Sequence, residues 1–590
     1  MSGQLQPNIP AREVADLFPS FASKPARRAA ATAIVAMLLL AACERDTAIP
    51  TEPPDSASVL RTRLLTGEQY TNTIAQIFGE DISGSILPPI PPMARTDGLL
   101  ASGAAFVGVT SDQISQIQQA ATSIAAKVVD EEHRDFLIPC RPESQAEADP
   151  ACAELFLRET GRLLYRQNLE DVRLAELVDI AGYAAEQTED FHAGLALALE
   201  SILISPEFIF IVDRAEPDPD RPGSERLDAW SLASRLSFFL WNGPPDDALL
   251  NAAESGELHT EAGLSATVER MLSSVRLESG MRAFFDDMLG FDEFGSLAKD
   301  PIVYPMVTGS TLQDAREQTL RTIVDHLLHQ ESDYRDLFTT RKTFMSPSLA
   351  VVYGIPAGNG WTPHEFEAGS PRIGLLTQVS FLAANSHAVR SSPTLRGQAL
   401  RERFLCQVVP PPPPNVDFSL LEEAEHAATA RERLDVHNTN PACAGCHLIT
   451  DPIGLALENF DGAGRFRETE NGAALDLSGE LDGVLYEDVA GLASAMRDHP
   501  KLSNCLVNRL YAYGTGGPVS LRRDRDTISW FENRFAANGY RLKPLLRELA
   551  LGEAFSTVLS GEIQGNMGAA DASESTYRFS GPRFGSPQQR

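Results

Sequence analysis

Apolar residues recur at helical spacing along most of the chain. Thr66 and Gln69 form a capping-box pattern at the start of the first such segment. Four apolar residues then fall on one helical face: Tyr70, Ile74, Ile77 and Phe78. The same period predicts helices over 111–130, 169–187, 191–212, 230–241, 264–288, 312–328, 488–513 and 542–551. The predicted fold class is therefore mainly α, with several helical modules and little β.

Interruptions of this pattern predict the loops and the module boundaries. Polar or proline-containing stretches lie at 214–226, 357–371 and 410–414, and an alternating pattern over 475–485 predicts a small hairpin. The predicted division is a signal peptide 1–42, a tether 43–58, helical modules 59–135 and 136–213, a linker 214–226, a helical module 227–356, a module 372–470, a helical module 480–556 and a disordered tail 565–590.

The charge balance narrows the classes of partner. The 590 residues carry a formal net charge of −31. So acidic a surface repels phosphates, which argues against nucleic-acid binding. It keeps the protein soluble and favours a basic protein partner, although a solvated acidic surface without any particular partner explains it equally well.

The N-terminus has the pattern of an export signal. Arg27-Arg28 precedes an apolar run, Ala29–Ala42, which is too short to span a bilayer. The run ends in Leu40-Ala41-Ala42-Cys43, which resembles a bacterial lipobox. We expect residues 1–42 to be a lipoprotein signal peptide and Cys43 to be lipidated, with Glu44 favouring the outer membrane. A simple secretory signal is the alternative.

Four other cysteines are candidates for disulfide bonds. Cys140 and Cys152 flank a polar loop, which in an exported protein predicts a local disulfide. Cys406 and Cys505 both lie in apolar surroundings, so a long-range disulfide and two buried thiols are both open.

The remaining two cysteines belong to the sequence Cys443-Ala444-Gly445-Cys446-His447, the attachment pattern of c-type haem. Two thiols one helical turn apart can each add to a haem vinyl group, and the following imidazole can ligate the iron from below. Only about 0.002 such patterns are expected by chance at this composition. We therefore predict one covalent haem c, with His447 as the proximal ligand.

The Cys-x-x-Cys-His spacing also occurs in three other kinds of site. A structural zinc site needs four ligands, and no second pair of matching spacing follows in the sequence. A thioredoxin-like redox pair would follow a strand, whereas Asn-Thr-Asn-Pro precedes the motif here. A plain structural disulfide between Cys443 and Cys446 is the simplest alternative to haem.

The sequence does not decide which residue, if any, would be the sixth iron ligand. Met496 lies on a downstream helical pattern, His437 ends the helix before the motif, and His387 is a third candidate. A site without a protein ligand is the fourth possibility. Arg465 and Arg467 can pair with haem propionates, or they can belong to a solvated helix end.

Polar residues near these segments are expected to have structural roles. Asp451-Pro452 and Asp461-Gly462 are expected to fix turns rather than to bind metal. His326 and His329 are expected to be surface or packing residues.

Several stretches resemble the modules of a bacterial family of planctomycete and myxobacterial cytochrome-associated proteins, with the architecture DUF1587, DUF1595, DUF1592, DUF1588 and DUF1585. In that order they are Leu64–Tyr70; Cys140–Phe208; Leu236–Trp241 with Pro245–Leu249; Ser391–Gly397 with Cys443–Arg467; and His499–Gly514. The resemblance implies export and a haem-bearing fourth module, and it implies no particular reaction.

Three functions compete. The leading one is electron transfer at the cell envelope by an exported, lipid-anchored mono-haem cytochrome with a redox partner protein. The second is a haem-dependent oxidoreductase that performs peroxide or oxygen chemistry. The third is a surface scaffold or binding protein in which the haem is accessory. The fold cannot decide between them, because function depends on the site.

Overall fold

Helices dominate the fold, as the hydrophobic periodicity predicts. The computed structural model describes residues 51–559 except 55, 92, 412–426 and 439–440, and it gives residues 436–438 and 441–442 by their backbone alone. Short antiparallel strand pairs join the helices, so the fold class is mainly α. The predicted signal peptide, the tail 565–590 and most of the proline spacer lie outside the described residues.

The first helix begins directly after the predicted capping residue, Thr66. Thr66 Oγ1 accepts the N–H of Gln69, and the Gln69 side chain accepts the N–H of Thr66, which confirms the predicted capping box. The elements of this part are β1 Thr62–Leu64, α1 Gly67–Phe78, α2 Glu80–Ser83, α3 Leu100–Gly103, α4 Ser111–Val128, α5 Arg134–Leu137, α6 Pro150–Tyr165, α7 Asp171–Thr188, α8 Phe191–Leu203 and α9 Pro206–Ile209.

One hydrophobic core holds most of these helices together around the pair α7 and α8, whereas Ala101 of α3 belongs to the larger core of the middle of the chain. The two helices approach so closely that a Cβ on Gly194 would lie 2.2 Å from the carbonyl oxygen of Ala181. Cys140 and Cys152 form a disulfide that ties the preceding polar loop to the first turn of α6. The loop is thereby anchored to the core that the helices build.

Two boundaries in the next segment differ from the sequence prediction. The helix predicted over 191–212 ends at Leu203, because Pro206 starts a separate short turn and residues 210–212 then form β2, which pairs with β1. The predicted linker 214–226 is not irregular, since β3 Ala215–Pro217 pairs there with β4 Glu225–Leu227. Strands of three residues leave too short a pattern to be read from sequence.

A buried ion pair ties the two ends of the described chain together. The fully buried Arg235 donates to Asp213 Oδ2 at 2.6 Å. It also donates to Ser58 Oγ at 2.7 Å and to the carbonyl of Phe555 at 2.8 Å. The predicted tether is therefore wrong over residues 56–58, which are buried in the fold.

The middle of the chain continues as a second, larger core. Its elements are α10 Ala229–Trp241, α11 Asp247–Glu254, α12 Glu261–Leu272, α13 Arg276–Leu289, α14 Gly309–Val324, β5 Lys342–Met345, α15 Pro347–Tyr353, β6 Thr362–Glu365 and α16 Val379–Ala384. A π-helical turn, Asp325–His329, follows α14. The prediction of a loop over 357–371 is wrong where β6 pairs with β5.

The C-terminal part completes the same core. Its elements are α17 Pro393–Phe404, α18 Ala430–Asn438, α19 Pro441–Leu455, β7 Thr469–Glu470, β8 Ala473–Ala474, β9 Gly479–Leu481, β10 Val484–Tyr486, α20 Val489–Arg497, α21 Pro500–Thr515, α22 Arg525–Ala537, α23 Leu542–Leu551, α24 Glu553–Ser556 and β11 Thr557–Val558. The β9–β10 hairpin confirms the pattern over 475–485. Pro500 splits the helix predicted over 488–513 into α20 and α21. No helix among the described residues is long and apolar enough to cross a bilayer.

Candidate haem-attachment site

The Cys-x-x-Cys-His motif lies on α19. Cys443 and Cys446 are three residues apart on this helix, so both thiols lie on one face, one turn apart. Both are free thiols and both are partly exposed, so the disulfide alternative is not what the structure contains. Within the described ranges, no group of three or more His, Cys, Asp or Glu side chains is arranged to hold a metal ion.

A buried carboxylate orients the imidazole of the motif. Nδ1 of His447 lies 2.8 Å from Oδ2 of Asp451, one turn further along α19. Since Asp451 is only 1 % exposed and a carboxylate accepts, Nδ1 donates and the lone pair of the ring resides on Nε2. The expectation that Asp451 fixes a turn is wrong, because it lies inside the helix and positions His447. The spacing of four residues between His447 and Asp451, which places both side chains on one helical face, was the feature of the sequence from which this contact could have been predicted.

A hydroxyl group on the neighbouring helix holds this carboxylate in place. Thr394 Oγ1 on α17 donates to Asp451 Oδ1 at 2.8 Å, whereas Thr450 Oγ1, which lies 3.2 Å from the same oxygen, has a shorter contact of 3.0 Å to the carbonyl oxygen of Cys446. The buried carboxylate therefore accepts from His447 and Thr394, as a desolvated anion requires. The sequence pattern did not identify Thr394, because its contact joins two helices that are distant in the chain.

Glycine residues allow α17 and α19 to pack at this close distance. A Cβ on Gly397 would lie 1.9 Å from the carbonyl oxygen of Thr450, and a Cβ on Gly454 would lie 1.8 Å from that of Pro393. No side chain fits at either point. The two glycines thus bring Thr394 within hydrogen-bonding distance of Asp451.

A buried ion network fixes the chain after α19. The fully buried Arg396 donates to Glu458 Oε1 at 3.2 Å and to the carbonyls of Leu457 and Phe460. Burial raises the pKa of Glu458, and the charges of Arg396 and Arg467 oppose that rise. The network holds the end of α19 rigidly against α17.

The two predicted propionate partners have different surroundings. The guanidinium of Arg467 donates to Glu458 Oε2 at 2.8 Å and lies 3.7 Å from Glu470 Oε1, so these carboxylates compete with any propionate for it. Arg465 is exposed. Asp461 accepts the N–H groups of Ala463 and Arg465, which confirms its predicted turn.

The candidates for the sixth ligand lie on different elements. Met496 is fully buried on α20, which packs against the turn Tyr334–Phe338 and the β9–β10 hairpin. His387 is exposed, and desolvation by its surroundings, followed by the charges of Arg390 and Lys299, lowers its pKa and favours the neutral imidazole. The side chain of His437 lies outside the described residues. The sixth ligand stays a prediction.

Exposed apolar side chains lie on the motif helix and on the segment beside it. Leu448 is 60 % exposed and Ile449 is 37 % exposed on the same helix. Val408, which is 68 % exposed, lies two residues from Pro410, whose carbonyl oxygen is 3.6 Å from the sulfur of Cys446. Singly exposed apolar side chains are common on protein surfaces and do not by themselves mark a binding surface. The thiols and the oriented imidazole fit a covalent haem.

A second disulfide links this region to the C-terminal helices. Cys406, just after α17, is bonded to Cys505 on α21, which resolves the question that the sequence left open. The bond connects segments 99 residues apart. It holds α17, which supplies Thr394, against the C-terminal part of the core.

Comparison with protein families gives four matches along the chain. They are to proteins of unknown function: DUF1595 over 152–213, DUF1592 over 227–355, DUF1588 over 372–470 and DUF1585 over 482–555. These are families of the cytochrome-associated type, in the predicted order, and the motif helix lies within the DUF1588 match. The module predicted at Leu64–Tyr70 stays a prediction. No curated protein and no solved structure matches the chain.

Proposed function

We propose that this protein is an exported mono-haem c-type cytochrome lipoprotein that transfers electrons at the cell envelope. One observation carries the proposal. Two free thiols one turn apart stand before an imidazole whose Nδ1 donates to a buried carboxylate. That arrangement supplies both covalent attachment points and an oriented axial nitrogen.

Each residue of this arrangement has a distinct role. Cys443 and Cys446 would hold the group through thioether bonds, and His447 would ligate iron through Nε2. Asp451 keeps the imidazole in the required tautomer and orientation. A haem bound there would supply one-electron chemistry, while the buried contacts of Asp451 with α17 keep the ligand from reorienting.

Export is supported by the state of the other cysteines. Cys140–Cys152 and Cys406–Cys505 are both disulfides, and such bonds persist in oxidising compartments. The lipobox-like Leu40-Ala41-Ala42-Cys43 supports a lipid anchor, with the outer membrane as the destination. Membrane fractionation of Cys43→Ser tests the anchor, because a lipidated protein should leave the membrane fraction when Cys43 is replaced.

The second candidate is a haem-dependent oxidoreductase, and the contact with Asp451 is the observation that favours it. A carboxylate on Nδ1 makes the imidazole more electron-rich than a neutral partner would. Such a ligand stabilises higher oxidation states of iron, which peroxide and oxygen chemistry requires.

The test of haem attachment is direct. Cys443→Ala with Cys446→Ala should abolish haem staining of the protein on a denaturing gel, because covalent attachment needs these thiols. The matched control is Cys140→Ser with Cys152→Ser, which removes two cysteines elsewhere and should keep the stain. Full staining of the motif variant would refute the proposal.

Carbon monoxide separates the two candidate functions. A carrier with two strong protein ligands should bind carbon monoxide slowly in the ferrous form, because one ligand must leave first. An open site should bind it rapidly and should react with peroxide in the ferric form. Fast binding that is unchanged in Met496→Ala and in His437→Ala would exclude the carrier and favour the oxidoreductase.

A further inference from the structure

Two buried arginines, Arg61 and Arg63, have side-chain N–H groups without an acceptor, and we call them the arginine pair. Arg61 is 6 % exposed and Arg63 is 4 % exposed. Among the described residues, no atom accepts from Nη1 of Arg61 or from Nε and Nη2 of Arg63, and all three nitrogens are buried. An unmet buried donor destabilises a fold, and a charged one does so more strongly, so almost every buried donor has an acceptor. These three nitrogens therefore need an acceptor that the described chain does not supply.

The backbone places both guanidinium groups on one side of the β1–β2 ladder. Arg61 and Arg63 are two residues apart in extended chain, so their side chains project to the same side. The turn after α21 lies directly against them. A Cβ on Gly516 would lie 2.7 Å from Arg63 Nε, and a Cβ on Gly517 would lie 2.6 Å from Arg61 Nε. The two adjacent glycines thus allow the two guanidinium groups to lie beside each other against this turn.

The charges around the arginine pair do not balance. Two carboxylates act on Arg61, those of Asp213 and Asp524, and each already has an arginine of its own. Arg235 is bonded to Asp213, and Arg523 Nε donates to Asp524 Oδ1 at 2.8 Å. The C-terminus of α21 contributes a partial charge of only about −0.5, which cannot offset two full charges. The arginine pair therefore leaves an excess of positive charge in the interior.

The ionisation of the pair reflects this imbalance. Burial, followed by the charge of Arg523, lowers the pKa of Arg61, and burial also lowers the pKa of Arg63. The attraction of Asp213 opposes the change in both residues but does not cancel it. The charged forms are thus destabilised where they stand, and an anion beside them would relieve that cost.

One acceptor in the same place has no donor. Asp213 Oδ2 accepts from Arg235 and from the backbone N–H of Arg61, whereas Oδ1 is buried and accepts from no described group. Asp213 lies opposite Arg61 at the end of the β1–β2 ladder, where opposed residues share a face. It is also the charge that acts most strongly on Arg63. The unmet carboxylate oxygen therefore lies among the unmet arginine donors.

These groups together select an anion that also carries a proton. Guanidinium groups bind oxyanions through charge-assisted N–H···O bonds, and the excess charge favours an anion over water. The carboxylate oxygen needs a donor, which chloride and sulfate do not have at neutral pH. Phosphate keeps a P–OH group there and can donate through it. We propose that Arg61, Arg63 and Asp213 bind inorganic phosphate, with the P–OH group donating to Asp213 Oδ1. Burial of all three side chains favours the free ion over a phosphoryl group on a larger molecule.

Binding of phosphate by the full-length processed protein tests the site. Phosphate released by unfolding the dialysed protein is assayed first, and phosphate retained through dialysis counts as binding. Calorimetry and thermal unfolding at pH 7 then compare phosphate with sulfate and glycerol 3-phosphate at equal ionic strength. Phosphate should bind and raise the unfolding temperature, and the other two ions should bind at least about tenfold more weakly, because one lacks the proton and the other is larger. Absence of phosphate binding, or binding of either competitor as tightly as phosphate, would overturn the proposal.

Two substitutions locate the binding. Arg63→Met removes a buried charge that has no carboxylate of its own, so without phosphate the variant should be at least as stable as the wild type. Phosphate should bind to it at least about tenfold more weakly, because two of the three donor nitrogens are lost. Arg61→Met should behave in the same way and provides the result if the first variant does not fold. An undiminished response to phosphate in these variants would contradict the assignment.

Two controls make the result specific. Arg522→Met removes an exposed arginine from the segment next to Arg523 and should bind phosphate as the wild type does. An equal loss of binding in this variant would mean that general attraction by positive charge, and not the buried donors, holds the ion. The double variant Cys443→Ala, Cys446→Ala should also retain phosphate binding, so a failure of the haem proposal leaves this one testable.

Discussion

At the scale of single residues, the contact between His447 and Asp451 has the greatest consequence. The carboxylate is buried and accepts from His447 and Thr394, so its charge acts on the imidazole through little solvent. Asp451→Asn keeps the shape but removes the charge. We expect the reduction potential of the haem-loaded protein to rise by tens of millivolts, because a less electron-rich ligand stabilises the oxidised iron less well. Redox titration followed by optical spectroscopy measures it.

Two further variants make that measurement decisive. Thr394→Val removes a donor from Asp451 and leaves more charge on the carboxylate, so the potential should fall instead of rising. Asp435→Asn removes the same charge from an exposed position on α18 and should leave the potential close to that of the wild type. Equal potentials in all four proteins would show that Asp451 does not act on the iron through His447.

A buried lysine predicts a pH dependence of stability. Lys299 is 8 % exposed, and its Nζ donates to the carbonyls of Ser386 and His387. Burial, followed by the charge of Arg396, lowers the pKa of Lys299 to about 8 from 10.5. Between these values the unfolded chain binds a proton that the folded protein does not, so the free energy of unfolding rises with pH, by at most about 3 kcal/mol.

Urea unfolding at pH 7 and pH 9 checks this dependence, because at higher pH the tyrosines whose pKa burial raises would ionise in the unfolded chain alone and would oppose the rise. Lys299→Met keeps the bulk of the side chain without the titrating group, so it should remove most of the rise. Lys501→Met, at an exposed position, is the matched control and should keep the rise. An identical pH dependence in the Lys299 variant and the wild type would contradict the expectation.

The roles of single residues could be predicted where the interacting residues are close together in the sequence. The Cys443-x-x-Cys446-His447 spacing was sufficient to propose the haem ligands, because all three lie within five residues. The role of Asp451 was missed because Asp-Pro is typical of turns, whereas here Pro452 is accommodated inside α19. The contact from Thr394 depends on helix packing, which no local pattern records.

At the scale of elements, the packing of α17 on α19 depends on two glycines. We expect Gly454→Ala to lower the free energy of unfolding by about 3 kcal/mol, because its Cβ would overlap the carbonyl of Pro393. Gly445→Ala is a matched control on the same helix, since no atom lies within 4 Å of the added Cβ. That variant should be neutral or more stable by about 0.5–1 kcal/mol, as expected for alanine in a helix. Chemical denaturation measures both, and equal stability of the two variants would show that the close approach is absent.

Elements were predictable in proportion to their length and periodicity. The amphipathic pattern over 542–551 coincides with α23, and the capping box at Thr66 marks the start of α1. The hairpin β3–β4 was predicted as a linker because strands this short take their stability from distant partners, here β11 near the end of the described chain. Prolines caused two boundary errors, since Pro206 and Pro500 divide helices that the apolar pattern joins. The helix predicted over 264–288 is also wrong in extent, because α12 ends at Leu272 and α13 begins at Arg276 with no proline between them.

At the scale of the whole molecule, long-range contacts join parts that the sequence presents as separate. The N–H groups of Glu553 and Ala554 donate to the Glu52 carboxylate, which ties the first described residues to the last helix. Arg235 and Ser58 strengthen the same junction. No sequence pattern predicts contacts across about five hundred residues, so the buried residues 56–58 were predicted to belong to a tether.

The charge of the whole molecule leads to the last prediction. With a formal net charge of −31, the protein should attract a basic redox partner over distances greater than direct contact. Electron exchange between the haem-loaded protein and a small basic cytochrome, followed by stopped-flow absorbance, should slow at least about tenfold as the salt concentration rises from 0.05 to 0.5 M, because ions screen that attraction. An acidic cytochrome of similar potential is the control, and its rate should rise over the same range as salt screens repulsion. Rates that do not change with salt for either partner would mean that the acidic surface serves solubility alone.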